Sequence, residues 1–483
     1  MRGAIVFLFL PVLALLRAAW VFLHPVAPAE AYYRLCASHM APAFFDGPAG
    51  TAGLLNALGA AGGLPDLLLA RLLWPLFALG AGIFVWLLAK EVFEDQAAAW
   101  AVVAVNALPQ FNMAAVTVGP LMPAVFFTLA GTWAVRRAWA GGGSYWFWAG
   151  LCFGLGLFFR YEVALVVAGL IVTTLVVPRR RTPANAAGLV WLAAAGALAL
   201  WPALRWNAAL EWVPVAGGTL RSAWEFEWGK LPLALTGDGV GVVGALLLLT
   251  GGIALLIDAR RHSRARFLAA AMLVPWVWWI YGAARGEAIA AAAFLATVPA
   301  LVFLASGVVR VSWGRMAGIM FLLAAIGSMG AQIFSSGRER AQWEPVAAQL
   351  RTALRDMPAG EAPGFLIAED PDLAAVMGYH LGPRTTGEYP PVFVPESPDF
   401  SNQFAIWPSY ADFVEGGVVA DEYFTEQKGA NPFMGRNALY LGADLPQTIG
   451  AAFENVAPLG RIVLPGGRKL TIFLCLNYQT LPL

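Results

Sequence analysis

The sequence predicts a polytopic α-helical membrane protein with a water-soluble α/β domain at its C-terminus, and three observations carry that prediction. Of 483 residues, 59% are hydrophobic and 13% charged, against about 25% charged in an ordinary soluble domain. Apolar runs close to the ~20 residues that cross a bilayer recur through the first two thirds of the chain. Beyond residue 337 those runs stop and short β-type segments take over. No soluble fold of this size hides so much apolar surface, whereas lipid removes the need to hide it. The formal net charge of +1 provides no global field toward nucleic acid or an acidic partner.

About eleven spans are expected, at 4–23, 67–89, 97–113, 118–135, 145–160, 162–178, 187–204, 239–257, 267–284, 288–308 and 312–334. The first run is followed by Ala27-Pro28-Ala29, which resembles a signal-peptide cleavage site, but its apolar stretch is too long for a signal core. It reads as a retained anchor. The pair at 145–178 is separated only by Arg160-Tyr161-Glu162, and reads either as two spans or as one bent span plus an interfacial helix. A secondary transporter would show ionisable residues near mid-membrane and paired broken helices in repeated halves, and the sequence displays neither.

Lys and Arg set the orientation. With the N-terminus in the cytoplasm, the inner loops hold Arg136/Arg137, Arg179/Arg180/Arg181, Arg260/Arg261/Arg264/Arg266 and Arg310/Arg315. The outer loops hold scattered cations: Arg34, Arg160, Arg205, Arg221, Lys230 and Arg285. An odd number of spans then leaves the C-terminal domain extracytoplasmic, on a chain integral to the plasma (inner) membrane. The expected organisation is a transmembrane domain over 1–337, with outer loops 24–66 and 205–238, and an α/β domain over 338–483. Long loops on one face place the chemistry there. Loop 205–238 is rich in Trp (Trp206, Trp212, Trp224, Trp228) among Glu211, Arg221, Glu225 and Glu227.

In the tail, Trp343, Val346, Leu350 and Leu354 give 340–357 a helical period, and strands are expected at 364–368, 438–441, 461–464 and 470–476. Asp370-Pro371-Asp372 and Asp421-Glu422 read as solvated loop surface. Cys36, Cys152 and Cys475 have no framework spacing, and His24, His39, His262 and His380 form no ligand cluster, so no metal site or cofactor is read from the chain.

The first outer loop brings a family into view. Ala29-Glu30-Ala31-Tyr32-Tyr33, then Phe45-Asp46-Gly47-Pro48, resemble the Asp-Glu-Ala-Tyr-Tyr … Phe-Asp-His-Pro-Pro pattern of type C glycosyltransferases, the protein O-mannosyltransferase-like and aminoarabinose-transferase-like membrane enzymes. Gly150-Leu151-Cys152-Phe153-Gly154-Leu155-Gly156 leading to Phe159-Arg160-Tyr161 resembles their Gly-Leu-rich segment ending in Ser-Lys-Tyr. Trp206-Asn207-Ala208 with Trp212, and Ser401-Asn402-Gln403-Phe404 with Trp407, are similar to two further stretches, and all four occur in the family's order.

The resemblance implies a sugar carried on a polyprenyl phosphate and moved, outside the cytoplasm, to an acceptor hydroxyl or amine on a glycan, lipid or protein. A carboxylate must take the acceptor's proton, and cations must hold the leaving phosphate. The family's base is the first acid of the loop motif, which here is Ala29; near Thr117-Val118-Gly119-Pro120 a further acid is missing, and Gly47 stands where many members carry His or Lys. Glu30 and Asp46 are therefore the candidate bases. Glu30 reads alternatively as an acid paired with Arg34 at helical spacing, and Asp46 as a turn residue. Arg160 and Arg205 are the candidate phosphate ligands, with an interfacial anchor as the other reading of Arg205. Tyr33, Tyr161, Glu162 and Asn207 are supporting candidates, although aromatic belts and snorkelling charges account for such residues equally well. Gln403 and Trp407 approach the acceptor side or simply pack. The loss of Ala29's acid leaves a rival: an inactive relative that binds lipid-linked glycan or a partner transferase.

Overall fold

The computed structural model describes residues 4–62, 70–177, 180–212, 228–236, 241–285, 290–310, 314–358, 363–381, 389–396, 402–411 and 431–479. Arg221, Trp224, Glu225 and Glu227 of the second outer loop, Ser401, and the pair Asp421-Glu422 lie outside them, as does Arg179.

Helix α1 (Ala4–Val21) leads to a short amphipathic helix α2 (Pro28–Ser38), a two-stranded hairpin of β1 (Ala43–Phe44) and β2 (Gly47–Pro48), and α3 (Gly50–Gly62). The bundle continues with α4 (Leu73–Val92), α5 (Asp95–Asn106), α6 (Pro109–Val116), α7 (Leu121–Trp139), α8 (Tyr145–Phe159), α9 (Val163–Val176) and α10 (Pro183–Ala209). After the short α11 (Leu231–Thr236) come α12 (Gly241–Ala259), α13 (Ser263–Ala284), α14 (Ala290–Arg310) and α15 (Gly314–Arg355). Trp74, Val85, Phe111, Met122, Phe153, Leu268 and Phe294 belong to one continuous buried core, while Leu8, Leu198 and Met320 stay exposed on outer faces. Apolar inside and out is the signature of helices surrounded by lipid.

The eleven expected spans are not all reproduced as single long helices. Among the described residues four helices are long and apolar enough to cross a membrane: Leu73–Val92, Pro183–Ala209, Ser263–Ala284 and Ala291–Val309. The pair α5 and α6, bent by 66°, is either one broken span or a re-entrant loop; Leu8–Val21, Tyr145–Phe159, Val163–Val176 and Gly244–Ala259 are shorter apolar helices. Hydropathy counts apolar residues without seeing where the backbone breaks. The run at 97–113 contains Pro109, which removes an N–H and pushes Leu108 into extended backbone at ψ 127°. The run at 145–178 is two helices, split where Arg160 turns extended (φ −150°, ψ 131°).

One ionisable group, Arg17, is buried within the first apolar run. It sits within α1 with 1% of its surface exposed. Its guanidinium donates from Nε and Nη2 to Asn112 Oδ1 at 3.0 and 2.7 Å, and from Nη2 to Asn106 Oδ1 at 3.0 Å. Asn112 in turn donates to the Asn106 carbonyl at 3.0 Å. The cation thus fastens the two sides of the α5–α6 break, where helix ends leave polar groups without partners. One broken helix, locked in this way, is not the repeated pair a transporter calls for. Arg17→Met strands two buried amide oxygens, and thermal unfolding in detergent is expected to show a loss of about 1–3 kcal/mol. An unchanged midpoint contradicts the clamp.

Helix α15 runs unbroken for 42 residues. The expected helix at 340–357 is its last third, and the boundary expected at 337/338 falls inside it. It delivers the chain to a four-stranded sheet, order β3-β4-β6-β5, formed by β3 (Phe365–Ala368), β4 (Ala438–Gly442), β5 (Phe453–Val463) and β6 (Lys469–Tyr478). Strands β3 and β4 are parallel, and the others pair antiparallel. Helix α16 (Pro371–Leu381) follows β3, and the one-turn-plus α17 (Gln447–Ala452) precedes β5. Both faces of β3 are buried, Phe365 and Ile367 on one side and Leu366 and Ala368 on the other, which is why it reads as an unbroken apolar run. The face with Leu366 shares its core with Ala31, Leu35, Cys36 and Phe44 of the first outer loop and with Leu350 of α15. The loop after α1 and the sheet therefore share one core.

Candidate active site

Helix α2 begins with Pro28 at its first turn, and the Glu30 carboxylate accepts from Ala27 N at 2.9 Å to close that turn. Glu30 then turns into the protein. It is 0% exposed and ion-paired with Arg71, itself 2% exposed. Arg71 donates to Glu30 through Nε (2.8 Å) and Nη2, and to the carbonyls of His24 (2.9 Å) and Pro25 (2.6 Å). Val118 N donates to Glu30 Oε1 at 2.7 Å. Every lone-pair direction is taken, so Glu30 ties α1, α2, α4 and the 117–120 segment together rather than facing a substrate. Its expected partner Arg34 instead lies over the Tyr379 ring at 5.9 Å. The pairing that burial requires comes from 41 residues away, at the entrance of an apolar run, where a lone Arg was itself the available signal.

One helical step earlier the backbone faces the other way. Ala29 opens onto a cavity, with Tyr32, Tyr33 and Asp46 in the same wall. Asp46 occupies the two-residue turn of the β1–β2 hairpin, in the register Ala43↔Pro48 and Phe44↔Gly47. Gly47 closes that turn at φ +146°, a conformation in which a side chain is strained. The hairpin is held at both ends. Phe45 N donates to Oε1 of the buried Gln403 at 2.7 Å. Gly50 packs directly on the end of α8, where an added Cβ would stand 2.3 Å from the Phe158 carbonyl oxygen. Asp46 is thus fixed relative to both the sheet and the α8–α9 turn.

Two cavities meet at this hairpin. The first, about 350 Å³, reaches toward the bundle and is lined by Tyr32, Tyr33, Asp46, Pro120, Arg160, Tyr161, Glu162, Leu165 and Trp278 among others. The second, about 450 Å³, opens toward the sheet, with Ala29, Asp370, Asp372, Asn402, Gln403 and Arg468 in its wall. Tyr32, Tyr33 and Asp46 belong to both. Arg160 and Glu162 form a two-point ion pair, Nε to Oε2 at 3.0 Å and Nη2 to Oε1, with 33% and 20% of their side chains exposed. The guanidinium is therefore oriented by Glu162 while part of it remains open to the first cavity.

Asp46 is exposed to these cavities, yet the protein around them displaces bulk water. That desolvation raises its carboxyl above the usual aspartate range, with the Tyr32 hydroxyl and the Arg160 charge pulling the other way. Burial likewise raises the Tyr33 phenol, so Tyr33 stays neutral and serves as a hydrogen-bonding wall.

The structure brings together Tyr33, Asp46, Arg160, Tyr161 and Glu162, and leaves three candidates apart. Glu30 is enclosed behind them. Arg205 sits at an exposed position of α10 and lines neither cavity. Asn207 is buried, its amide donating to the Ala203 carbonyl at 2.8 Å, and the adjacent Trp206 packs with Ala43 and Tyr161 beneath the hairpin. Trp407 packs at 5.4 Å from His39 and 6.3 Å from Tyr32. Asp370 and Asp372, expected as solvated loop surface, instead wall the second cavity, because the sheet folds back over the first outer loop. Trp278 and Arg468 had no local motif to mark them. No group of three or more His, Cys, Asp or Glu residues is placed to hold a metal ion among the described residues.

Residues 66–206 match the family model of dolichyl-phosphate-mannose-protein mannosyltransferases. No curated protein sequence matches the chain. Among solved structures it is similar to ArnT from Cupriavidus metallidurans bound to undecaprenyl phosphate, at TM-score 0.59 and 15% identity, over 98% of each chain. It is similar also to the apo state of that protein, at TM-score 0.59 and 14% identity, over 97% of each chain. At such identities the likeness is one of fold, and it runs from end to end. The family-model match and this shared fold together relate the chain to the type C glycosyltransferase superfamily.

Proposed function

We propose that the protein is an inverting membrane glycosyltransferase that moves a sugar from a polyprenyl-phosphate donor to an extracytoplasmic acceptor. One observation carries the reading: Asp46 stands in the wall common to two cavities, with the Arg160 guanidinium facing the first. The donor occupies the first cavity, its phosphate on Arg160 and its lipid tail against apolar groups such as Leu165 and Trp278. The acceptor hydroxyl enters from the second. Asp46 takes its proton as the acceptor oxygen bonds to the anomeric carbon from the face opposite the phosphate. The anomeric C–O bond breaks with its electron pair passing to the phosphate oxygen, and polyprenyl phosphate leaves with Arg160 stabilising its charge. Tyr33 and Tyr161 flank the sugar, and Glu162 keeps the guanidinium aimed.

The undecaprenyl phosphate bound by the structurally similar ArnT supports a polyprenyl donor here, and the distribution of Lys and Arg supports placing both cavities outside the cytoplasm. The test is transfer of label from polyprenyl-phosphate sugars by the purified protein, with donor binding measured in parallel. Arg160→Ala is expected to weaken donor binding by about tenfold or more, the scale of a lost charge-assisted hydrogen bond. Unchanged affinity removes Arg160 from the phosphate site.

A second reading, an inactive relative that binds lipid-linked glycan or a partner transferase, is favoured by Ala29 and by the engagement of Glu30 with Arg71. Donor binding with no transfer to any offered hydroxyl or amine decides for it.

A further inference from the structure

The second cavity has a chemical character of its own. Three carboxylates, Asp46, Asp370 and Asp372, line it beside one guanidinium, Arg468. Arg468 is already engaged: it pairs with Glu369 and donates through Nη1 and Nη2 to Asp370 Oδ2 at 3.1 Å. Asp370 is engaged in return, and its other oxygen caps α16 by accepting from Leu373 N at 2.7 Å. Asp372 is different. Its side chain is exposed to the cavity and makes no ion pair among the described residues. Burial, then the charges of Asp370 and Asp46, hold its carboxyl above the usual range, as expected of an acid facing like charges with no cation between them.

One further group in the wall is open to a ligand. Gln403 is 2% exposed and uses its Oε1 for Phe45 N, while its amide nitrogen has no hydrogen-bond partner among the described residues. The Tyr32 hydroxyl is enclosed beside Asp46 and Cys36 and is not open to the cavity. The Gln403 amide is thus held in the cavity wall with a donor to spare for a hydroxyl of an incoming molecule.

Resting on the transfer reading above, we infer that the second cavity takes a hydroxylated acceptor bearing an ammonium group, of the amino-sugar class, and rejects phosphorylated ones. The ammonium sits between Asp372 and Asp46, while the Gln403 amide donates to a neighbouring hydroxyl. A phosphate in the same place meets three carboxylates and an arginine whose charge is already answered, so the field that draws an amine excludes it.

The full-length protein, purified in nanodiscs, is titrated calorimetrically at pH 7 with glucosamine, N-acetylglucosamine and glucosamine 6-phosphate. Glucosamine is expected to bind about tenfold more tightly than the other two, the scale of one charge-assisted contact, and Asp372→Asn is expected to erase that margin. Equal or tighter binding of either comparison sugar, absence of glucosamine binding, or an unchanged margin in Asp372→Asn overturns the inference. Label transfer is measured separately. If transfer fails while the ranking holds, the transfer reading falls and the cavity's selectivity stands; if transfer succeeds with the ranking reversed, only the selectivity falls.

Discussion

Asp46→Asn is expected to slow sugar transfer by ~10²–10⁴-fold, the usual contribution of a general base, with donor affinity kept within about twofold. The asparagine preserves the shape of the hairpin turn and removes only the capacity to hold a proton. A second signature separates chemistry from damage. The Asp46 carboxyl lies above the usual aspartate range, and only its ionised form accepts a proton. Turnover in the unmodified protein should therefore fall as pH drops through that raised value, and Asp46→Asn should lose this acid limb from its residual rate. Ala29 supplies a third test, since it opens onto the same cavity wall. Ala29→Asp in the Asp46→Asn background should restore turnover at least about tenfold, because a carboxylate then again faces the incoming hydroxyl. Full turnover in Asp46→Asn would remove this residue from the reaction.

Glu30→Ala is expected to act on a different quantity. It leaves Arg71 charged and enclosed, and breaking a buried pair from one side costs about 3–5 kcal/mol. The same change frees the N–H groups of Ala27 and Val118, which now donate to Glu30. Thermal unfolding in detergent should show a large drop in midpoint, and Arg71→Ala should show a similar one. Replacing both by apolar residues of matching volume should recover much of the loss, as the removal of both partners leaves no orphaned charge. If Glu30→Gln instead unfolds at the normal temperature and loses turnover, Glu30 belongs to the chemistry and Asp46 loses its claim.

The membrane class was open to reading because it depends on composition summed over long runs, which no tertiary detail alters. The tail strands were legible for a related reason, since Leu470–Leu476 and Ala438–Leu441 are flanked by turns and lie inside β6 and β4. The break at Asn106–Leu108 was written in Pro109, but a hydropathy run passes over it. That Asp46, Arg160 and Glu162 are neighbours was legible in part, because two segments between apolar runs carry them at turns. Glu30 faces away from the cavities for a geometric reason. On α2, residues 29 and 30 point about 100° apart, and nothing in the local sequence says which direction is inward; Arg71 and Val118 decide it from other elements. Asp370 and Asp372 were taken for solvated surface since their exposure depends on how the sheet packs against the first outer loop, a contact between segments more than 300 residues apart.

Helix α15 exposes apolar side chains such as Met316, Met320 and Leu323 near its start and is also the stalk of the sheet, continuous from Gly314 to Arg355. At 1.5 Å per residue it is a rod of roughly 60 Å, so a tilt of 10° at its foot sweeps its tip by roughly 10 Å. The domain at that tip includes Gln403, in a 3-10 turn between α16 and β4, whose amide oxygen holds the backbone beside Asp46. Any lean of that rod is thereby carried to the hairpin that holds Asp46.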